Sequence, residues 1–169
     1  MSEASKARPH PKHALAAEAL RAGHTLRLRA QGTSMLPSIW PGDLLTVFPA
    51  GGIDPQVGDI VLVGHEDRFV IHRLIETQEA GGRKCLVTRG DSISQEDPPV
   101  PPEQLLGTVV KIERAGRVFV PSRHRSLTNR IAGSALGRSV RLLNAVLLGR
   151  RWIKAGADPE PLLAQESRT

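Results

Sequence analysis

Short apolar runs separated by glycine, proline and aspartate are the feature that most constrains how this chain folds. Its 169 residues include 13 prolines and 16 glycines, a content that indicates many turns and short strands rather than a bundle of helices. Between about residues 25 and 120 the runs have the length of strands, and several alternate apolar with polar residues. The chain is therefore predicted to be mainly β, with a short N-terminal helix and a C-terminal amphipathic helix.

The individual elements follow from the same pattern. "HALAAEALRA" indicates a helix over 13–22 that ends at Gly23. The runs 60–64 and 68–76, joined by "HED", have the form of a β-hairpin, and "EAGGRK" after them is expected to be a loop. Further strands are predicted for "HTLRLRAQG", "DLLTVFP", "CLVTRGD", "LLGTVVKIER" and "RVFVP", which are residues 24–32, 43–49, 85–91, 105–114 and 117–121.

The length suits a single domain with extra segments at its ends. A chain of this size buries about two-thirds of the surface that its unfolded form exposes, which is enough for a hydrophobic core. We divide the sequence into a tail and short helix over 1–24, a β body over 25–120, and a basic amphipathic helix with a frayed tail over 121–169. The single cysteine, Cys85, lies in a predicted strand, and no internal disulfide can form.

Charge and hydropathy indicate which partners and locations to expect. The formal net charge is +6, and much of the excess lies within 123–154. Because residues 127–154 interleave basic with aliphatic side chains at helical spacing, an anionic membrane surface or an acidic partner is expected there. The N-terminus lacks the apolar region of a secretory signal, and no run approaches the roughly 18 apolar residues of a spanning helix. The protein is thus expected to be cytoplasmic or peripherally membrane-associated.

No cofactor is expected, because the sequence has neither a Cys/His cluster with zinc spacing nor a glycine-rich phosphate loop. A nucleic-acid partner is not expected either. The basic C-terminal segment offers Trp152 as its one aromatic side chain, which is a poor platform for stacking bases.

Four motifs carry side chains with catalytic chemistry. They are "GTSMLP" at 32–37, "PGD" and "VGD" at 41–43 and 57–59, "VIHRL" at 70–74, and "TRGDSISQED" at 88–97. Ser34 is a weak nucleophile unless a base lies within hydrogen-bond reach. His72 is the candidate base, because a neutral imidazole accepts a proton near neutral pH. A third group should orient the imidazole, and Asp91 and Asp97 both qualify.

In this order the motifs resemble those of the type I signal peptidases and their relatives, which share a fold with the self-cleaving repressor proteases. The resemblance covers about residues 28 to 112. "VIHRL" is similar to the branch of the endoplasmic reticulum, of archaea and of some sporulating bacteria, where a histidine replaces the general-base lysine of most bacterial members. "SMLP" is similar to the mitochondrial inner-membrane peptidases. The fold implied is the signal-peptidase and repressor-protease β body.

The resemblance implies a serine endopeptidase that cleaves a signal- or leader-type peptide. Ser34 would be the nucleophile and His72 the general base. Of the two aspartates, Asp97 is favoured as the group that orients the histidine, and Asp91 as the residue that shapes the turn. The substrate is expected to be an extended peptide or protein segment laid against the β body as an added strand.

Two departures from the family pattern concern the oxyanion site and the membrane. The backbone N–H of Ser34 is the expected first oxyanion donor. Many bacterial members carry a hydroxyl residue two positions before the nucleophile, but Gly32 stands there, so either Thr33 or a backbone N–H is the expected substitute. An N-terminal membrane anchor like that of the signal peptidases is also not expected.

Other interpretations remain open at this point. Ser34 and His72 can be read as a turn serine and a core histidine, and Asp43 and Asp59 are interpreted as residues that close turns. The main alternative function is a catalytically degenerate peptide-binding or accessory module of the same fold. A repressor-type protein that cleaves itself, with Ala22-Gly23 as the cut, is disfavoured because too few residues precede the first strand for a DNA-binding module.

Overall fold

The computed structural model describes residues 11–65 and 68–123 of the chain. Within these residues the protein is mainly β, as predicted, with one α-helix packed against an antiparallel sheet. The helix is α1 (Pro11–Arg21). The strands are β1 (Leu26–Arg29), β2 (Leu44–Pro49), β3 (Ile60–His65), β4 (Arg68–Ala80), β5 (Arg83–Arg89), β6 (Leu105–Arg114) and β7 (Arg117–Phe119).

The sheet has the strand order β1-β2-β6-β3-β4-β5, and β7 pairs with the end of β6. β5 pairs with the second half of β4, from Arg73 to Ala80, whereas residues 68–72 of β4 pair with β3 alone. β1 pairs with β2 alone. Within the described residues, β1 and the first half of β4 therefore each leave one strand edge unpaired.

Aliphatic side chains fill both faces of the sheet, as the aromatic content of 3% requires. On β3, Ile60 and Leu62 point into one cluster and Val61 and Val63 into the other, because successive strand residues face opposite ways. The first cluster also contains Leu20, so α1 covers that face. Full burial of each such side chain contributes about 1.5–3 kcal/mol, which holds β3 firmly in the middle of the sheet.

The element boundaries differ from the predicted ones where turn chemistry is decisive. In the described residues α1 spans Pro11–Arg21, so it includes two residues that precede the predicted start. The predicted loop "EAGGRK" is mostly strand: β4 continues to Ala80 and β5 begins at Arg83. Gly81 and Gly82 alone form the turn, with φ of +60° and +74°, the positive values that tight hairpin turns require.

The predicted hairpin of 60–64 with 68–76 is confirmed, because β3 and β4 pair from Ile60 with Arg73 to His65 with Arg68. The predicted C-terminal helix, including the basic stretch 127–154, lies outside the described residues. Within the part of the chain that the structure describes, no helix combines the length and the hydropathy needed to cross a bilayer.

Candidate active site

The loop between β1 and β2 presents Ser34. Met35, Leu36 and Ile39, which follow it, are buried at 5%, 1% and 4% exposure and anchor the loop in the core. The peptide bond between Leu36 and Pro37 is cis. Gly32 has a φ of +74°, a conformation that glycine adopts without strain, and it turns the chain into the loop. Ser34 is therefore held at the surface by a loop whose apolar side chains are fixed below it.

His72 lies on β4 directly opposite Val61 of β3 and is 7% exposed. Its Nε2 atom is 3.0 Å from Ser34 Oγ, and its Nδ1 atom is 2.5 Å from Asp97 Oδ2. A carboxylate at Nδ1 favours the tautomer with the proton on that nitrogen, which leaves the Nε2 lone pair free to accept the Ser34 hydroxyl proton. The three side chains thus form one hydrogen-bonded series.

Asp97 is placed by the segment that follows β5. Its backbone N–H donates to Thr88 O at 2.8 Å, and its Oδ2 atom accepts from Thr88 Oγ1 at 2.6 Å. Two donors, Thr88 and His72, therefore converge on one carboxylate oxygen and fix its direction. The Asp97 side chain is 26% exposed, so the series opens to solvent at this end and not at the imidazole, which is 9% exposed.

Asp91, also expected as a catalytic candidate, lies elsewhere. It is 3% exposed, and its carboxylate accepts from Arg73 Nε at 2.9 Å, from Arg73 Nη2 at 2.7 Å and from the hydroxyl of Ser38. Arg73 also donates to Gly58 O and Ser122 O at 2.6 and 2.8 Å. Because Arg73 is itself 5% exposed, the carboxylate of Asp91 neutralises a buried charge. The contacts of Asp91 described here are thus with Arg73 and Ser38, whereas Asp97 is the aspartate in contact with the imidazole.

The loop after β5 holds two residues that the sequence did not single out. Ser92 donates its N–H to Ser34 O and its hydroxyl to Thr33 O, each at 2.9 Å. A Cβ atom at Gly90 would lie 2.7 Å from Ser34 O and 3.2 Å from His72 Nε2. A side chain at Gly90 would therefore collide with the loop that carries Ser34. The sequence signal for both residues is their position beside Asp91 in "TRGDS".

The oxyanion candidates Ser34 and Thr33 differ in what the structure gives them. The backbone N–H of Ser34 donates to no oxygen in the described parts of the chain, so it is available to a substrate. The carbonyl of Thr33 accepts from Ser92 Oγ and from Leu36 N. Gly32 and Ser34 line the cleft described next, whereas Thr33 is not among its lining residues. The geometry thus offers the Ser34 N–H directly but shows no cleft-facing donor from Thr33.

A cleft of about 800 Å³ opens beside Ser34 and His72. Residues 28–32 form one side and residues 68–72 of β4 form the other, and the first turns of α1 close one end. These two sides are the segments that carry the unpaired strand edges. The floor is apolar, with Met35, Ile39 and Leu45 among its residues.

The turn-closing role predicted for Asp43 and Asp59 is confirmed. Asp43 Oδ2 accepts the Trp40 N–H at 2.7 Å, and Asp59 Oδ2 accepts the Gln56 N–H at 2.9 Å. Asp59 also accepts a hydrogen bond from Arg123, which raises the pKa of that exposed guanidinium above its ordinary value. Both aspartates therefore stabilise turns and do not line the cleft described above.

A serine, a histidine and an aspartate in hydrogen-bonded series, on a β body beside a cleft, form the arrangement of a serine peptidase. A family model agrees with this class: the one described as Peptidase S24-like matches residues 2–110, more than half of the chain. The chain therefore belongs to the Peptidase S24-like family. The resemblance to the signal peptidases and repressor proteases is thereby confirmed at the level of the wider family. No curated protein matches the chain.

Proposed function

We propose that this protein is a serine endopeptidase in which Ser34 is the nucleophile, His72 the general base and Asp97 the group that orients the base. One observation carries the proposal: the 3.0 Å contact of Ser34 Oγ with His72 Nε2, continued by the 2.5 Å contact of His72 Nδ1 with Asp97. A turn serine and a core histidine have no need of this alignment, because each could satisfy its hydrogen bonds locally.

The chemistry follows from these contacts. Ser34 Oγ attacks the peptide carbonyl while its proton passes to His72 Nε2, and Asp97 stabilises the imidazolium that results. The backbone N–H of Ser34 donates a hydrogen bond to the tetrahedral oxyanion. His72 then gives the proton to the leaving amine, and the acyl group on Ser34 is hydrolysed when His72 activates a water molecule.

The substrate would bind as an extended strand between the two unpaired edges. β1 and residues 68–72 of β4 both line the cleft, and each retains backbone groups that a peptide can pair with. A peptide that fills this gap gains main-chain hydrogen bonds on both sides, which position its carbonyl over Ser34.

Within the family, we assign the protein to the histidine-base branch, with a signal- or leader-type peptide as its substrate. In this chain a histidine, His72, contacts Ser34, whereas most bacterial members have a lysine in that place. This contact supports the histidine-base branch.

Self-cleavage at Ala22-Gly23 is disfavoured. Ala22 N donates to Glu18 O at 2.8 Å and Gly23 N to Leu20 O at 3.0 Å, so this dipeptide closes the end of α1 and would have to unfold before it could enter the cleft.

The direct test combines a serine-reactive fluorophosphonate probe with hydrolysis of a random peptide library read by mass spectrometry. The parent protein should be labelled and should cleave peptides, and Ser34→Ala should lose both properties. Ser94→Ala is the matched control, because Ser94 is an exposed serine in the segment after β5 and should behave as the parent.

Hydrolysis by Ser34→Ala at the parent rate would refute the proposal. If the parent protein binds peptides in the cleft but neither reacts with the probe nor cleaves the library, the accessory-module alternative takes its place.

A further inference from the structure

Basic side chains surround the outer part of the cleft. The first turns of α1, the end of β1 and the facing ends of β3 and β4 contribute Lys12, His13, Arg29, His65 and Arg68. Among the described residues that line the cleft, Asp97 is the one carboxylate, and it is already engaged by His72. The cleft therefore combines an apolar floor with a positively charged mouth.

Three of these side chains have a permanent charge and no oppositely charged partner within the described residues. Lys12, Arg29 and Arg68 form no ion pair with any carboxylate in residues 11–65 and 68–123. By contrast, Arg27, two residues before Arg29 on β1 and not a lining residue, pairs with Glu113 at 2.6 Å. The chain thus neutralises Arg27, whereas Arg29 donates from Nη1 to the uncharged Gly42 O at 2.9 Å and is paired with no carboxylate of the described residues.

Glu66 and Asp67, which join β3 to β4, lie outside the described residues. In the sequence they precede Arg68 directly. Lys12 and Arg29 belong to other elements, so the excess of positive charge at the mouth does not depend on Arg68 alone.

We infer that the cleft selects peptides with acidic side chains about four residues from the scissile bond, an inference that rests on the proposed peptidase function. Arg68 precedes His72 by four residues on β4, which at about 3.3 Å per residue separates their Cα atoms by roughly 13 Å. A peptide paired with the free edge of β4 has the same rise, so its residue beside Arg68 is about four positions from the bond beside Ser34.

The size of the preference for acidic peptides depends on how exposed the basic side chains are. Lys12, Arg29 and Arg68 are exposed, so each new pair is partly screened and favours an acidic peptide by about twofold to fivefold. Two or three such pairs give roughly tenfold selection of glutamate over glutamine. The Debye length is about 10 Å at 0.1 M salt and 3 Å at 1 M, so the selection should fall in high salt.

The experiment uses the full chain and a dodecapeptide library in which glutamate, glutamine and lysine occur at every position. Cleavage is read by mass spectrometry, and binding of fluorescent library members to the Ser34→Ala variant is read by anisotropy. We expect enrichment of glutamate three to five residues from the cut and tighter binding of the same peptides to Ser34→Ala. Arg68→Glu should shift the preference at that position towards lysine.

The control variants are matched in charge. The first triple variant combines Lys12→Gln, Arg29→Gln and Arg68→Gln. It should lose most of the preference for glutamate over glutamine. The second triple variant combines Arg83→Gln, Lys84→Gln and Arg117→Gln, which remove the same charge from exposed sites that do not line the cleft. It should retain the preference for glutamate over glutamine. Thermal melts establish that both triple variants are folded.

The outcomes separate this inference from the proposed function. Cleavage without an acidic preference, or a preference lost equally in both triple variants, overturns the inference and leaves the peptidase standing. Acid-selective binding to Ser34→Ala without cleavage by the parent protein overturns the peptidase and keeps the acidic selectivity. If the protein neither cleaves the library nor binds acidic peptides selectively, both the inference and the proposed function are overturned.

Discussion

Replacing Asp97 by asparagine should nearly abolish hydrolysis while leaving the fold intact. An amide NH₂ group directed at His72 Nδ1 forces the ring proton onto Nε2, which then donates to Ser34 Oγ and cannot accept its proton. In Ser-His-Asp triads this change lowers kcat by about 10⁴-fold. The amide NH₂ that takes the place of Oδ2 can donate its second hydrogen to Thr88 Oγ1, and the backbone N–H still donates to Thr88 O, so the loss of stability should be about 1 kcal/mol or less.

Asp91→Asn is the matched variant, and it should lose stability rather than activity. It leaves the guanidinium of Arg73, 5% exposed, without a counter-charge, and breaking a buried pair in this way costs about 3–5 kcal/mol. At about 2–4 °C per kcal/mol for a chain of this size, Tm should fall by about 6–20 °C. The folded fraction should keep a much larger share of its activity than Asp97→Asn does, because Asp91 is not placed at the imidazole.

The assay for this pair is kcat/KM on one cleaved library peptide, measured well below both melting temperatures, together with Tm from circular dichroism. Full activity of Asp97→Asn would show that His72 needs no orienting carboxylate, which would reduce the triad to a dyad. A reversal, with Asp91→Asn inactive at parent stability and Asp97→Asn unstable but active, would refute the placement of both aspartates.

Gly90→Ala should lower kcat by roughly 100-fold, because the new Cβ atom would lie 2.7 Å from Ser34 O and must displace the nucleophile loop; parent activity on the same peptide would contradict this. His72→Ala should be as inactive as Ser34→Ala and the double variant hardly worse, since the two side chains act as one unit; multiplied losses in kcat would show that they act separately. If residues 127–154 rest on anionic lipid, replacing their six basic side chains by glutamine in the full chain should abolish flotation with phosphatidylserine liposomes, because each contributes about 1 kcal/mol; unchanged flotation removes the idea.

Much of the fold could be predicted from local pattern. Alternation within runs such as 68–76 and the turn residues between them are short-range signals, so the order of helix and strands follows from the sequence. The ends of β4 and β5 could not be predicted in the same way. The pairing of Gln78 with Cys85 continues two strands into a stretch whose composition indicates a loop, and Gly81-Gly82 suffices to turn the chain.

Ser34, His72 and two aspartates were evident as candidates because the chemistry requires those side chains and the motifs present them in a family order. Which aspartate reaches the histidine was a matter of tertiary structure. Asp91 and Asp97 are six residues apart on one segment, and their distances to His72 depend on the pairing of Arg73 with Arg89 and on the path of the chain after β5. No short-range pattern encodes that path.

The sequence by itself thus determined which side chains are able to do the chemistry and that they lie on a β body. The tertiary structure decided which of them meet: Asp97 at the imidazole, Asp91 with Arg73, and Gly90 against the carbonyl of Ser34. It also decided where a peptide finds room, because β5 covers one half of β4 and leaves the other half unpaired. The physical reason is that residue type and alternation are local properties, whereas strand register and unpaired edges arise only when distant segments pair.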